Sequence, residues 1–111
     1  MAQQRRAFDR VRHRLFCELL HDGRRSSGMV LDMSPRGLFV RMGNMEAPPL
    51  GTQVQVGLND AEHGEMILMA RVTRAKSVRH ELVVAADGGI GLEVLSAPES
   101  YYDLLKSLVT V

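Results

Sequence analysis

The sequence predicts a mainly β domain, a barrel or sandwich of short strands, with a single helix at its C-terminal end. Three observations carry the prediction. Apolar and polar residues alternate over short stretches, as they do on strands with one buried face. Glycine-containing turn signals separate those stretches. Beyond residue 96 the apolar spacing changes to a helical period.

The elements follow in order. Arg12 to His21 alternates imperfectly, with Leu15, Cys17 and Leu19 on one face and Phe16, Glu18 and Leu20 on the other. Asp22-Gly23 supplies a turn signal. Gly28 to Leu31 and Leu38 to Met42 are apolar runs on either side of a polar segment, and Gly43 to Gly51, with Pro48-Pro49, reads as a loop. Thr52 to Leu58 is the clearest strand, with Val54, Val56 and Leu58 on one face and Gln53 and Gln55 on the other. Asn59 to Gly64 is turn-like, and Met66, Leu68, Ala70 and Val72 form the inward row of the next strand. Glu81 to Ala86 and Ile90 to Leu95 complete the strands; the stretch from Arg74 to Gly89 leaves its turn unassigned. Ser96-Ala97-Pro98-Glu99 fits a capping box, with the serine capping the helix and the glutamate reaching back. Tyr101, Leu104, Leu105 and Leu108 then recur at i, i+3, i+4 and i+7, the stripe of a helix packed on the barrel or docked on a partner subunit. Phe16 and Phe39 read as core, and Cys17 and the methionines, Met66 and Met69 among them, as core or edge packing.

Composition narrows the function classes. At 111 residues the chain fits one domain. An apolar share of 45% with 24% charged residues is that of a soluble globular protein. No apolar run approaches the ~20 residues of a membrane span, and the arginine-rich start is unlike a secretory signal. The single Cys17 excludes an internal disulfide and agrees with a cytoplasmic location. His13, His21, His63 and His80 lack metal-ligand spacing, so no zinc and no other cofactor is expected. No nucleophile and base are spaced for catalysis, and Gly88-Gly89-Ile90-Gly91 lacks a phosphate-loop pattern, so an enzyme is not expected.

The net charge of +1 hides an asymmetry: seven of the 14 basic residues (Arg5, Arg6, Arg10, Arg12, Arg14, Arg24 and Arg25) lie in the first 25 positions, opposed there by Asp9, Glu18 and Asp22. Such an excess attracts phosphates. Two polar patterns stand out against it. Arg5-Arg6-Ala7-Phe8-Asp9-Arg10 reads RRxxxR, and Asp32-Met33-Ser34-Pro35-Arg36-Gly37 reads DxSxxG. Guanidiniums can fork onto guanine O6 and N7, pair with phosphate or stack on a base. A carboxylate such as Asp32 can accept from guanine N1–H and N2–H. Ser34 can bond a base edge or its own turn, and Gly37 permits a close backbone approach or a positive φ. Taken alone, the second pattern is also a well-formed hairpin turn and the first a solvated basic tail.

In this order and spacing the two patterns resemble the signature of the PilZ domain, the bacterial receptor module for cyclic di-GMP. The late stretch Gly89 to Val94 is similar to the family's last strand, so the resemblance covers most of the chain. It implies a six-stranded antiparallel β-barrel of split-barrel type. Residues 1–11 then form a flexible arm, and residues 12–111 the barrel with a C-terminal helix at about 97–109. By resemblance Arg6 and Arg10 hold the RxxxR positions, and Asp32, Ser34 and Gly37 the DxSxxG positions; Arg12, Arg36 and Gly91 are auxiliary candidates. Arg5 is the extra basic residue that the family associates with a stacked ligand dimer, two molecules per chain. Arg36 departs from the small residue the family often has there.

The resemblance implies a cytoplasmic adaptor whose N-terminal arginines close over cyclic di-GMP on the barrel and signal to a motility, biofilm or polysaccharide-export protein. Homodimers stay open, since a ligand dimer can bridge chains and the helix can pair. Two alternatives come from other classes. A small barrel for single-stranded nucleic acid needs aromatic platforms, against which this chain has five aromatic residues and no tryptophan. A PilZ-like protein can also work through protein contacts without ligand.

Overall fold

The computed structural model describes residues 11–42, 48–76 and 89–109. Six strands, β1 (Val11–His21), β2 (Arg24–Met33), β3 (Gly37–Met42), β4 (Gln53–Asp60), β5 (Gly64–Lys76) and β6 (Gly89–Ser96), precede one helix, α1 (Glu99–Val109). Every neighbouring pair is antiparallel, and the order β1-β2-β3-β6-β5-β4 closes on itself through β1 and β4. The barrel with its terminal helix is the architecture expected from the sequence. The strand expected at 81–86 lies outside the described residues, and the six observed strands do not include it.

Strand parity decides what fills the barrel. Leu15, Cys17 and Leu19 of β1, Val54, Val56 and Leu58 of β4, and Met66, Leu68, Ala70 and Val72 of β5 are all buried, as alternation requires. Each fully buried aliphatic side chain contributes roughly 1.5–3 kcal/mol. The same parity corrects two expectations. Phe16, between Leu15 and Cys17, points outward and is 75% exposed, and Phe39, between Leu38 and Val40, is only half-buried on the outer face. Met69 is likewise an outward residue of β5, whereas Met66 is core.

Turn chemistry sets the connections. Asp22 and Gly23 both have positive φ, 56° and 76°, and join His21 to its partner Arg24 as a two-residue hairpin. Asn59 and Asp60 belong to β4, so the following turn is shorter than its polar composition suggested. The capping box is not formed. Ser96 stays in β6, opposite Met69, and the helix begins at Glu99 with the Tyr101 N–H donating to the Pro98 carbonyl. Continued strand pairing therefore overrides the local capping signal. Glu99 in the first turn and Lys106 in the last suit the helix dipole. The predicted stripe faces the core, with Tyr101, Leu104 and Leu105 buried and Leu108 packed beside them. The C-terminal helix is thus a barrel element in this chain.

Candidate functional site

The DxSxxG segment links β2 to β3 and is held chiefly by Ser34. Its hydroxyl accepts from the Arg36 and Gly37 N–H groups at 3.3 and 3.1 Å and lies 3.4 Å from the Gly37 carbonyl, to which the Ser34 N–H donates at 2.9 Å. The side chain therefore builds the turn. Val94 N–H donates to the Arg36 carbonyl at 2.8 Å, which ties the corner to β6. Gly37 sits so close to β6 that a Cβ would stand 2.9 Å from the Leu92 carbonyl oxygen. Close approach, and not a positive φ, is what requires glycine here.

Helix α1 fastens the same turn from below. Tyr101 is fully buried, and its hydroxyl donates to the Ser34 carbonyl at 2.6 Å. Burial keeps the phenol protonated well above its ordinary range, so it remains a donor. This contact spans 67 positions of sequence.

Beside the turn, two irregularities shape the outer surface. Between the pairs Arg12–Asp32 and Leu15–Val30, the two residues His13 and Arg14 oppose the single Leu31. Between Val30–Val40 and Asp32–Phe39, Leu31 has no counterpart on β3. Bulges of this kind re-aim side chains. Two consecutive residues on each strand, His13 with Arg14 and Leu31 with Asp32, leave the barrel core, and with Phe39 they line a concavity of ≈ 400 Å³.

Behind His13 stands Asp60, at the end of β4. Its Oδ2 accepts from the His63 ring Nδ1 at 2.8 Å and from the His63 and Glu62 N–H groups at 2.9 and 3.1 Å, while Oδ1 lies 3.9 Å from His13 Nε2. The His63 side-chain bond, with those two N–H groups, holds the Asp60 carboxyl below its ordinary range against the opposing effect of partial burial.

The structure thus brings Asp32, Ser34 and Gly37 together on one rim, with the Arg36 side chain exposed at the corner. Arg12 is the register partner of Asp32, and Gly91 that of Phe39. Arg5, Arg6 and Arg10 lie outside the described residues. Sequence reasoning missed His13, Leu31 and Phe39 as lining residues, and weighed Arg14 only as an extension of the basic surface or a solvent-facing residue. The signal for Phe39 was its parity with Leu38 and Val40; for the bulged pairs it was the local break in alternation.

Barrel, capping helix and DxSxxG rim turn together define a small β-barrel module with its polar signature at one end. The PilZ domain model matches residues 4–110, and the chain belongs to the PilZ domain family. Among solved structures, the Bacillus subtilis inhibitor of motility MotI/DgrA is similar in fold, with a TM-score of 0.73 and 14% identity over 91% of this chain. This chain spans only 47% of that protein's length. The PilZ domain of YcgR from Escherichia coli, a structure with c-di-GMP, gives a TM-score of 0.67 and 15% identity, covering 89% of this chain and 87% of that one. Comparison with curated proteins gave no match. Among the described residues no helix is long and apolar enough to cross a membrane.

Proposed function

We propose that this chain is a receptor for cyclic di-GMP that relays binding to a protein partner. The observation that carries the reading is one of register. Val11 pairs with Met33, so the segment bearing Arg5, Arg6 and Arg10 joins the barrel beside Asp32 and the Ser34 turn. In this reading the two halves of the signature form one site. Arg6 and Arg10 fork onto guanine or pair with phosphate, Asp32 accepts from the guanine N1–H and N2–H edge, and Gly37 contributes by letting the turn lie tight against β6. Ser34 acts by holding the turn. Arg12, Arg36 and Gly91 flank the ligand, and Arg5 offsets the additional phosphate charge of a second molecule. Membership of the PilZ family supports the reading, as does the c-di-GMP in the E. coli neighbour's structure.

The output follows from closure of the N-terminal arginines over the rim, which creates a surface that exists only with ligand. A motility, biofilm or polysaccharide-export protein recognises that surface. The B. subtilis neighbour, an inhibitor of motility, is in keeping with the first of these.

Isothermal titration of cyclic di-GMP into wild type and an Arg6→Ala, Arg10→Ala double variant tests the proposal. Two charge-assisted bonds at roughly 1.5 kcal/mol or more each predict a loss of at least ~100-fold in affinity. Equal heats from both proteins, or none from wild type, would refute it. The fitted stoichiometry, with Arg5→Ala beside wild type, reports whether one or two molecules bind.

A further inference from the structure

Phe39 is a large apolar side chain on the outside of the barrel. Leu38 and Val40 on either side of it are 3% and 0% exposed. An outward aromatic on a sheet usually packs against an outward side chain of the next strand. Directly opposite it and at the preceding outward position, β6 offers no such side chain. Ile90 and Leu92 are core residues, and the positions between and before them are Gly91, the register partner of Phe39, and Gly89.

The end of the ring occupies the space that Gly89 leaves. A Cβ at Gly89 would overlap the tip of the Phe39 ring, with two further ring carbons at 2.7 and 2.9 Å. The tip of the phenyl group is thus set against β6 at Gly89, and the residue lines the concavity. Across the strand in the opposite direction stands Asp32, again a direct register partner, and both residues line the same concavity. The result is an apolar plate with a carboxylate at its edge.

A plate of this kind fits one chemical class of ligand, a planar heterocycle carrying N–H donors on its rim. Stacking covers the hydrocarbon face, while the carboxylate accepts from the donors in the plane of the base. We propose that Phe39 is a base-stacking residue of this site, seating one guanine of the ligand against its outer face while Asp32 reads that guanine's N–H edge. The inference rests on the cyclic di-GMP reading and adds to it a residue that neither signature pattern contains. It also gives Gly89 a role, since any side chain there lifts the plate.

Calorimetric titration of cyclic di-GMP into wild type and Phe39→Leu tests it. Loss of base–aromatic stacking predicts binding about 5–50-fold weaker with unchanged stoichiometry. Phe39→Trp is the second variant. The chain has no tryptophan, so the introduced indole is its sole such fluorophore. Its emission should be quenched saturably, with the same midpoint as the calorimetric curve. A folded Phe39→Leu protein that binds within twofold of wild type overturns the stacking role and leaves the receptor reading intact. So does an unquenched indole at saturating ligand, and that result decides the matter if the leucine variant does not fold. A wild type that takes up no cyclic di-GMP overturns the receptor reading and the stacking role together.

Discussion

Replacing Tyr101 by phenylalanine isolates one contact between the helix and the DxSxxG turn. The ring keeps its place, fully buried among the core side chains, and only the hydroxyl that donates to the Ser34 carbonyl is removed. A net hydrogen bond contributes about 1 kcal/mol, and an acceptor left without a donor raises the cost toward about 2 kcal/mol. Unfolding entropy for 111 residues is about 0.23 kcal/mol/K, so the midpoint should fall by about 4–8 °C. Differential scanning calorimetry of wild type and variant measures this directly. Tyr102→Phe is the control, because Tyr102 is 37% exposed and its loss of a hydroxyl should move the midpoint by less than about 2 °C. A Tyr101→Phe midpoint within about 1 °C of wild type would refute the reasoning. The helix would then be held by its apolar stripe alone, and the turn would be independent of it.

Two other perturbations follow from the geometry. Gly37→Ala places a Cβ 2.9 Å from the Leu92 carbonyl across a paired ladder, where neither backbone yields easily. A loss of about 1–3 kcal/mol is expected in denaturant unfolding, and a change below about 0.5 kcal/mol would show that the strands can separate there. Cys17 gives an alkaline signature. Burial, opposed by a backbone hydrogen bond involving Gly28, pushes its thiol from 9.0 to about 11. The folded state therefore binds this proton more tightly than the unfolded one, so the contribution is complete below pH 9 and is lost as pH rises toward 11. A stability profile that stays flat across that window in wild type, or falls equally in Cys17→Ala, would contradict it. Alkylation of Cys17 at neutral pH should likewise await unfolding.

Much of the fold was legible because period and parity are local. Val54, Val56 and Leu58 reveal their inward face within a single strand, and the Tyr101–Leu108 stripe reveals its own within two turns. Where the reading failed, a long-range constraint outweighed a residue-type expectation. Phe16 and Phe39 read as core because aromatic residues usually are, yet each sits between two inward neighbours and has no choice of face. Ser96 is a good cap by type, but pairing with Met69 keeps it in β6. For the candidate site, the turn residues were legible as a motif, whereas the concavity was not. It depends on bulges at His13-Arg14 and Leu31, which appear in sequence only as imperfect alternation. The bond from Tyr101 to Ser34 leaves no local trace at all, because the two residues meet only after the barrel has closed.

Closure of the strand order carries a consequence for recognition. Among the described residues every strand has a paired neighbour on both sides, so the sheet presents no fully unpaired edge strand to which an extended peptide could add as a seventh. Side chains on the wall, the exposed face of the helix and the rim are then the described surfaces open to recognition. The same closure limits self-templating, because no described strand stands as an open edge for a second copy to extend.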